Sequence, residues 1–416
     1  MEIYDYILSL EKRAAAAATE MGCASLAARN GVLTSLAALL RGNTEKLLAA
    51  NKTDLENAAE NGVPQQMLDR LSLNASRIDA MAESLCALVA LPDAVGAEKV
   101  WTRPSGIEIH EKRVPLGVVA IIFEARPNVT LDAAALCIKT GNVALLRGGK
   151  EALCTSMAIR DLVCEALEQN GLPRDGVLLV ERTEREGANA LMTIRGYVDV
   201  LIPRGGKGLI RSVVENAKVP VIETGAGNCH VYVEKTADLE MACRVIRNAK
   251  CQRPSVCNAC ESLLVDAAIA KAFLPMLEKT LAPDGVELRA DTNCIGYFTN
   301  AVPATEEDHF TEYNDLILSV KAVEGVDAAI AHINLHGTRH SEAILTRDTA
   351  AAERFTDRVD AAAVYVNTST RFTDGGEFGY GAEIGISTQK LHARGPMGLA
   401  ALTTVKYIVK SEGKVR

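Results

Sequence analysis

Residues 107–129 have the sequence IEIHEKRVPLGVVAIIFEARPNV, and the pattern of the chain changes halfway along them. The first half alternates apolar and charged residues, which is typical of an exposed strand in a hairpin. Residues 117–123 are apolar throughout, which is typical of a strand buried on both faces of a parallel sheet. The stretch therefore predicts an antiparallel strand that leads into the first strand of an α/β sheet.

Downstream of this stretch, helix-like and strand-like segments alternate. Each of four predicted helices leads into an apolar strand: 131–140 into NVALLRG, 153–170 into GVLLVE, 186–195 into YVDVLIP and 207–217 into VPVIET. Such repeated units predict a doubly wound α/β sheet. A second run of this kind over about 229–385 predicts a second α/β domain, and residues 1–90 have the apolar spacing of helices.

Length and composition restrict the class of protein. A chain of 416 residues is too long for one ordinary core, which predicts two or three domains. Apolar residues make up 48% and charged residues 24% of the chain, as in soluble globular proteins. A net charge of -8 and an aromatic content of 4% argue against a nucleic-acid partner, which needs basic or stacking surfaces.

The N-terminus and the cysteines indicate a cellular location. Glu2 and Asp5 precede the first short apolar run, which does not fit the basic start of a secretory signal. No apolar run approaches the roughly 20 residues that span a bilayer. We therefore expect a cytoplasmic protein with no membrane association, whose eleven cysteines are mostly reduced.

Three glycine loops follow predicted strands: ALLRGGKEA (144–152), LIPRGGKGL (201–209) and VIETGAGN (221–228). Glycines there let backbone amides approach a phosphate. Four cations accompany them: Arg147, Lys150, Arg204 and Lys207. The patterns of the phosphate-binding loop and of G-x-G-x-x-G are both missing, and each loop alone fits an ordinary tight turn. Three such loops in one sheet favour a dinucleotide phosphate site.

Three cysteines lie within residues 251–260, CQRPSVCNAC. A zinc site needs four ligands, and the chain has no second C-x-x-C pair with suitable spacing, so we expect no metal. A redox pair would need a small thioredoxin-like fold, which this chain does not resemble. Cys260 precedes the apolar SLLV and fits a buried core residue. Arg253 or Lys250 could stabilise a thiolate at Cys257, and from these residues alone a nucleophile and a core residue remain equally open.

The order of these motifs resembles that of the aldehyde dehydrogenase superfamily and, within it, of the branch that reduces γ-glutamyl phosphate in proline biosynthesis. VEGVDAAIAHINLHGTRHSEAI (323–344) matches the signature of that branch. The other matching stretches are VPLGVVAIIFEARPNVT (114–130), GNVALLRGGKEA (141–152), LIPRGGKGLI (201–210), VPVIETGAGNCHVYVE (219–234), NAKCQRPSVCNACESLLV (248–265) and FGYGAEIGISTQKLHARGPMGL (378–399). The resemblance therefore covers nearly the whole chain.

The resemblance implies an α/β fold of the aldehyde dehydrogenase type, with two doubly wound domains and a small β oligomerisation flap. It assigns residues 1–104 and 121–224 to an NADP(H)-binding domain, residues 225–394 to a catalytic domain, and residues 105–120 and 395–416 to the flap. It also implies a homo-oligomer, either a dimer or a tetramer. The substrate would come from a separate glutamate 5-kinase, with which the protein could make a transient contact.

The implied reaction is the NADPH-dependent reduction of L-glutamyl 5-phosphate to L-glutamate 5-semialdehyde, with release of phosphate. Cys257 occupies the position of the superfamily's nucleophile, which would form a thioester. The other implied catalytic residues are Asn128, as an oxyanion donor, and Glu223, at the position of the base in hydrolytic relatives. The implied substrate ligands are Arg126, Arg253, Arg394 and His336. The implied NADP(H) ligands are Arg147, Lys150, Gly205, Gly206, Lys207 and Glu312.

Other functions stay open. A hydrolytic or a CoA-acylating aldehyde dehydrogenase would share most of these motifs, and dependence on phosphate separates them. A non-catalytic cysteine-rich redox or zinc-binding protein is the alternative from another class. Cys251 and Cys260 stand where threonine and methionine are usual in the branch, so they could be core residues or could oxidise with Cys257.

Overall fold

The computed structural model describes residues 1–124 and 126–416, except for the side chains of residues 65–67. Within this part of the chain there are thirteen α-helices, labelled in chain order: α1 Ile3–Cys23, α2 Leu26–Gly42, α3 Thr44–Glu60, α4 Gln65–Leu71, α5 Ala75–Ala90, α6 Pro127–Lys139, α7 Leu153–Gln169, α8 Arg185–Thr193, α9 Lys207–Asn216, α10 Leu239–Cys251, α11 Ala267–Leu281, α12 Gly325–His336 and α13 Thr349–Arg358.

Sixteen strands accompany these helices in the described residues. They are β1 Glu98–Thr102, β2 Glu108–Pro115, β3 Val118–Phe123, β4 Val143–Arg147, β5 Val177–Leu179, β6 Val200–Arg204, β7 Cys229–Val233, β8 Cys260–Asp266, β9 Glu287–Ala290, β10 Val302–Pro303, β11 Ile317–Val323, β12 Ser341–Leu345, β13 Ala363–Val366, β14 Ile386–Ser387, β15 Gly395–Pro396 and β16 Thr403–Lys410. The chain divides into two compact units.

The first unit comprises Met1–Glu223, Gly379–Gly385 and Met397–Arg416. Its core is a parallel sheet with the strand order β5-β4-β3-β6. Every residue of β3 is buried, because the strand lies inside the sheet and its apolar side chains face helices on both sides. The continuous apolar run at residues 117–123 therefore predicted this central strand correctly.

A second, antiparallel sheet in the first unit has the order β1-β2-β16. β2 is the alternating strand that the sequence predicted, and β16 pairs with it over the whole of its length. Residues 118–120, which the prediction grouped with this flap, belong to β3 instead. A role of the sheet in oligomerisation stays a prediction.

The second unit comprises Thr224–Phe378 and Ile386–Pro396. Its main sheet is parallel, with the order β10-β9-β11-β8-β7-β12-β13. Alternate residues of β7 and β8 enter different cores: Val231 and Leu263 pack with α10 and α11, whereas Tyr232 and Leu264 pack with α12 and α13. Helices on both faces of a parallel sheet confirm the predicted doubly wound architecture.

Two further findings concern membranes and disulfides. Among the described residues no single helix is long and apolar enough to cross a bilayer, although the bent pair α1 and α2 together meets that criterion of length and composition. The eleven cysteines form no disulfide in the described part of the chain.

Candidate active site

Cys257 lies half-buried in the turn that joins α10 to β8 in the second unit. The turn begins at Pro254, which cannot continue a helix, and the backbone N–H of Ala259 donates to the carbonyl oxygen of Val256 at 3.0 Å. Cys260 then starts the buried strand β8. The nucleophile candidate therefore lies in the turn just before β8, and it is only half-buried.

The backbone at Cys257 lies in direct contact with Gly227. A Cβ atom on Gly227 would lie 1.5 Å from the carbonyl oxygen of Cys257, so no other residue fits at this position. The same carbonyl oxygen accepts a hydrogen bond from the Cys229 thiol at 3.1 Å. The N–H of Gly227 donates to Oε1 of Glu312 at 2.8 Å. Gly227 thus packs directly against the backbone of the cysteine turn and links it to Glu312.

A side-chain network that the sequence did not reveal fixes the other side of the turn. The amide of Asn258 donates to the carbonyl oxygens of Thr373 at 2.9 Å and of Arg371 at 3.3 Å. The guanidinium of Arg371 donates back to Oδ1 of Asn258, and to Oε1 of Gln252 at 3.0 Å. Because these partners lie more than a hundred residues apart in the chain, no local pattern in the sequence could have indicated Arg371.

Lys250, which the sequence offered as a cation for a thiolate, pairs with a carboxylate. The side chain of Lys250 is fully buried and donates to Oε2 of Glu261 at 2.5 Å. Burial raises the pKa of Glu261 to about 7, and the Lys250 ammonium opposes that rise. Lys250 lies on α10, and its ammonium is paired inside the second unit because an unpaired buried ammonium would be costly.

The other two cysteines of the stretch are core residues. Cys260 is fully buried in the cluster that includes Val231 and Leu263, and burial raises its pKa to about 12. Cys251 packs against the same cluster, and burial together with Asp284 raises its pKa to about 11. Both thiols are therefore poor nucleophiles at neutral pH. Among the described residues, no group of three His, Cys, Asp or Glu side chains is arranged to hold a metal ion.

Five of the seven histidines are buried together in the second unit: His230, His309, His332, His336 and His340. The rings of His332 and His336 stack with centroids 3.9 Å apart, and His309 contacts both edge-to-face. His230 bonds to the buried carboxylate of Glu342 at 3.1 Å. The three histidines of the signature at residues 323–344 are thus buried, and His230 and His309 join them from other elements.

This histidine cluster predicts a loss of stability in acid. Burial lowers the pKa of His332 to about 2, and the neighbouring His230 and His336 add to the effect. Below pH ~6.5, the ordinary pKa of a histidine, His332 binds a proton in the unfolded chain but stays neutral in the folded chain. The free energy of unfolding therefore falls by about 1.4 kcal/mol for each pH unit below that value. The contribution is complete above pH ~6.5 and is lost as the pH falls. His332→Phe should make the free energy of unfolding less steeply dependent on pH below ~6.5, as measured by urea denaturation.

The matched control is His392→Asn, because His392 is exposed and has a φ of 61° that asparagine tolerates. Its acid profile should match that of the unaltered chain. An unchanged slope in His332→Phe would contradict the assignment of the acid sensitivity to His332. The charged groups that face the cluster, Glu306, Lys321 and Glu342, stay in place in both variants.

The implied substrate ligands differ in how far the protein already uses them. Arg253 is exposed on the cysteine turn. Nη2 of Arg394 donates to Asp360 at 2.7 Å, in a surface ion pair. The two ring nitrogens of His336 contact the carbonyl oxygen of His332 at 2.9 Å and Glu306 at 3.0 Å. Of the three, Arg253 lies in the same turn as Cys257, and the other two are bonded to other residues.

One more implied substrate ligand and two implied catalytic residues lie in the first unit. Arg126 is the N-cap of α6. The side chain of Asn128 is exposed in the first turn of α6 and donates to Asp132 at 3.1 Å. Glu223 is the last residue of the first stretch of this unit. Their proposed roles stay predictions.

The loops at the carboxyl ends of the first unit's sheet form a candidate nucleotide site. The strand order reverses between β3 and β6, which is where open α/β sheets bind ligands. Glu124 follows β3, and Oε2 of its carboxylate accepts the N–H of Gly206 at 3.0 Å. A Cβ atom on Gly205 would lie 2.6 Å from the Glu124 side chain, so a larger residue there would displace that carboxylate. The N-cap residue of α9, which begins at Lys207, therefore donates its N–H to a carboxylate of the protein itself.

Positive charge accompanies this crevice. Arg147 ends β4, and its Nη2 donates to the carbonyl oxygen of Thr183 at 3.0 Å. Burial lowers the pKa of Arg147, and its buried Nε has no hydrogen-bond partner among the described residues. Lys150 and Lys207 are exposed. A buried donor without a partner, two exposed cations and a helix N-terminus fit a phosphorylated ligand.

The chain is similar to known proteins over nearly its full length. The model of the aldehyde dehydrogenase family matches residues 7–294. A γ-glutamyl phosphate reductase of Heliobacterium modesticaldum is 54% identical over all of both chains. One of Carboxydothermus hydrogenoformans is 55% identical over 99% of this chain and 100% of its own. The crystal structure of γ-glutamyl phosphate reductase from Thermotoga maritima is 46% identical, covers 99% of both chains and has a TM-score of 0.96.

The chain therefore belongs to the aldehyde dehydrogenase family and, within it, to the γ-glutamyl phosphate reductases. It is an oxidoreductase, and its fold is the aldehyde dehydrogenase fold that the resemblance implied.

Proposed function

We propose that the chain catalyses the NADPH-dependent reduction of L-glutamyl 5-phosphate to L-glutamate 5-semialdehyde, the second step of proline biosynthesis, through a thioester on Cys257. The observation that carries the proposal is the half-buried Cys257, clamped between Gly227 and Asn258. The chain's full-length identity to γ-glutamyl phosphate reductases supports the same substrate.

The thiolate of Cys257 attacks the acyl carbon of the substrate. A sulfur–carbon bond forms, the bond from carbon to the phosphate oxygen breaks, and phosphate leaves with the electron pair. Bound NADPH would supply a hydride to the thioester carbon; the carbon–sulfur bond then breaks, which releases the aldehyde and returns the electron pair to sulfur as the thiolate. A covalent acyl group held on sulfur cannot diffuse away before it is reduced, which is the advantage of a covalent route.

The oxyanion that forms during attack needs hydrogen-bond donors. We assign the backbone N–H of Cys257 and the side chain of Asn128 to this role. One amide hydrogen of Asn128 is used by Asp132, and an asparagine amide has a second one to donate. Since phosphate leaves without help from water, Glu223 has no water to activate and serves the loop or the thiol rather than hydrolysis.

The cofactor is proposed to bind at the loops of the first unit. Gly205, Gly206 and Lys207 would hold the pyrophosphate, and Arg147 and Lys150 the adenosine ribose and its 2′-phosphate. Support comes from the N–H of Gly206, which already donates to a carboxylate oxygen, and from the buried Nε of Arg147. A structure related by fold alone, glyceraldehyde-3-phosphate dehydrogenase of Methanocaldococcus jannaschii, is complexed with NADP. Glu312, bonded to Gly227, is proposed to contact the nicotinamide ribose.

The proposal is tested by the reverse reaction. Purified protein with glutamate semialdehyde and NADP⁺ should form NADPH when inorganic phosphate is present, because phosphate is then the acceptor of the acyl group. Without phosphate, turnover should stop after the thioester has formed. Absorbance at the NADPH band measures both rates. Sustained NADPH formation without phosphate would instead show a hydrolytic dehydrogenase and return Glu223 to the role of base, and dependence on CoA would show the acylating type.

The expectations about assembly belong to the same proposal. We infer a cytoplasmic homo-oligomer in which the sheet β1-β2-β16 pairs with another subunit. β16 is an edge strand, and exposed Val405, Tyr407 and Val409 project from it. A transient contact with a separate glutamate 5-kinase would shorten the path of a labile acyl phosphate.

A further inference from the structure

Arg371 is a second cation at the cysteine turn, and nothing in its local sequence indicates a role. It lies in the short 3-10 helix Thr370–Phe372 of the second unit and is half-buried. Its Nε donates to Gln252 and its Nη1 to Asn258. These two anchors lie on either side of Cys257 in the chain, so the guanidinium is fixed across the turn that carries the sulfur.

The segment that carries Arg371 is itself rigidly attached to the turn. Oγ1 of Thr370 donates to the carbonyl oxygen of Asn258 at 2.7 Å, and the Asn258 amide donates to the carbonyl oxygen of Thr373 at 2.9 Å. Asn258, Thr370 and Thr373 are all buried. A cation held this way is preorganised, because its own hydrogen bonds fix its position before any ligand arrives.

The charges around Arg371 are arranged as in an anion site. Burial lowers the pKa of Arg371, the nearby guanidinium of Arg253 lowers it further, and Cys257 acts in the opposite direction. Two guanidinium groups thus repel one another near Cys257, and Asp374 offsets part of that repulsion, so a further anion there would be stabilised. Nη2 of Arg371 has no hydrogen-bond partner among the described residues and remains available as a donor.

We propose that Arg371, together with Arg253, binds the phosphoryl group of the acyl phosphate and stabilises the phosphate as it leaves. The inference rests on the proposed function and identifies which cation of the site reads the leaving group. Guanidinium forks match phosphate oxygens in geometry and charge, and two of them provide several charge-assisted hydrogen bonds.

The chemistry of the step selects phosphate over the substrate's other anion. The phosphoryl group is bonded through one oxygen to the carbon that Cys257 attacks, so it must lie beside the sulfur. The α-carboxylate lies at the far end of the carbon chain. When the carbon–oxygen bond breaks, the departing phosphate gains one negative charge, which a proton from water later neutralises. Fixed cations beside Cys257 act where that charge develops.

The test is the KM for inorganic phosphate in the reverse reaction. Arg371→Gln should raise this KM by roughly tenfold to a hundredfold, the effect of losing a charge-assisted hydrogen bond. The KM values for the semialdehyde and for NADP⁺ should stay unchanged. Arg371→Lys, which keeps the charge but not the fork, should raise the phosphate KM less. As a second readout, phosphate should slow alkylation of Cys257 by iodoacetamide in the unaltered chain and lose that effect in Arg371→Gln.

Arg354→Gln is the matched control, because it also removes an arginine of the second unit. Arg354 lies on α13 and pairs with Asp327 on α12. It should leave all three KM values unchanged. If Arg371 merely held the turn, kcat and the KM values for the semialdehyde and for phosphate would change together, and the inference would be overturned. A phosphate KM equal to that of the control would overturn it as well. Failure of the proposed function would look different, because the unaltered chain would then turn over without phosphate.

Discussion

Replacing Cys257 with serine is expected to reduce turnover roughly 10⁴-fold or more, the scale of effect seen when a covalent nucleophile is removed. A serine hydroxyl is almost entirely protonated at neutral pH and attacks an acyl phosphate far more slowly than a thiolate does. The half-buried turn accommodates the smaller oxygen without a clash. The measurement is the phosphate-dependent formation of NADPH from glutamate semialdehyde and NADP⁺, followed with a large excess of enzyme.

The variant should still bind NADPH with unchanged affinity, because the residues proposed to hold the phosphates of the cofactor belong to the first unit. Fluorescence titration of the cofactor checks this. Cys251→Ser is the control: that thiol packs against the sheet core with a raised pKa, and its replacement should leave kcat close to that of the unaltered chain. Retained turnover in Cys257→Ser, or an equal loss in Cys251→Ser, would remove Cys257 from the role of nucleophile.

The parts of the fold that the sequence predicted are those with strong local periodicity. The apolar run of β3 and the repeated strand–helix units required buried parallel strands, because no other arrangement covers such strands on both faces. β1 escaped prediction. All its residues are exposed, and its strand conformation depends on pairing with β2, which no local pattern records.

The candidate site likewise depends on contacts between residues that are distant in the chain, which local patterns do not record. Residues within the cysteine stretch could be identified from their neighbours in the chain, yet those neighbours did not reveal that Lys250 pairs with Glu261. On α10 its side chain enters the core towards Glu261. Arg371 reaches the cysteine turn, and His309 the histidine cluster, only through tertiary packing, so neither contact can be predicted from the local sequence. Long-range contacts of this kind fix the electrostatics of a site, whereas sequence patterns fix its backbone.

Replacing Gly227 with alanine should strongly reduce the rate of the enzyme, because it would displace the turn that carries Cys257. The added Cβ would meet the carbonyl oxygen of Cys257 at 1.5 Å and its Cα at 2.6 Å, and both are backbone atoms that cannot rotate away. Either the cysteine turn or the Gly227 loop must move by more than about 1 Å, which costs of the order of a hundredfold in rate when a reacting atom is displaced. The strain should also lower the free energy of unfolding by about 1–3 kcal/mol.

Gly296→Ala separates this effect from the general consequences of replacing a glycine. Gly296 lies in the same unit, and an added Cβ there meets nothing within 4 Å. Its kcat and its urea midpoint should match those of the unaltered chain. The informative quantity in Gly227→Ala is the rate of Cys257 alkylation, since a displaced turn alters access to the sulfur even where the protein stays folded. Normal kcat and normal alkylation in Gly227→Ala would show that the loop yields without moving the cysteine, and the contact would then not position the nucleophile.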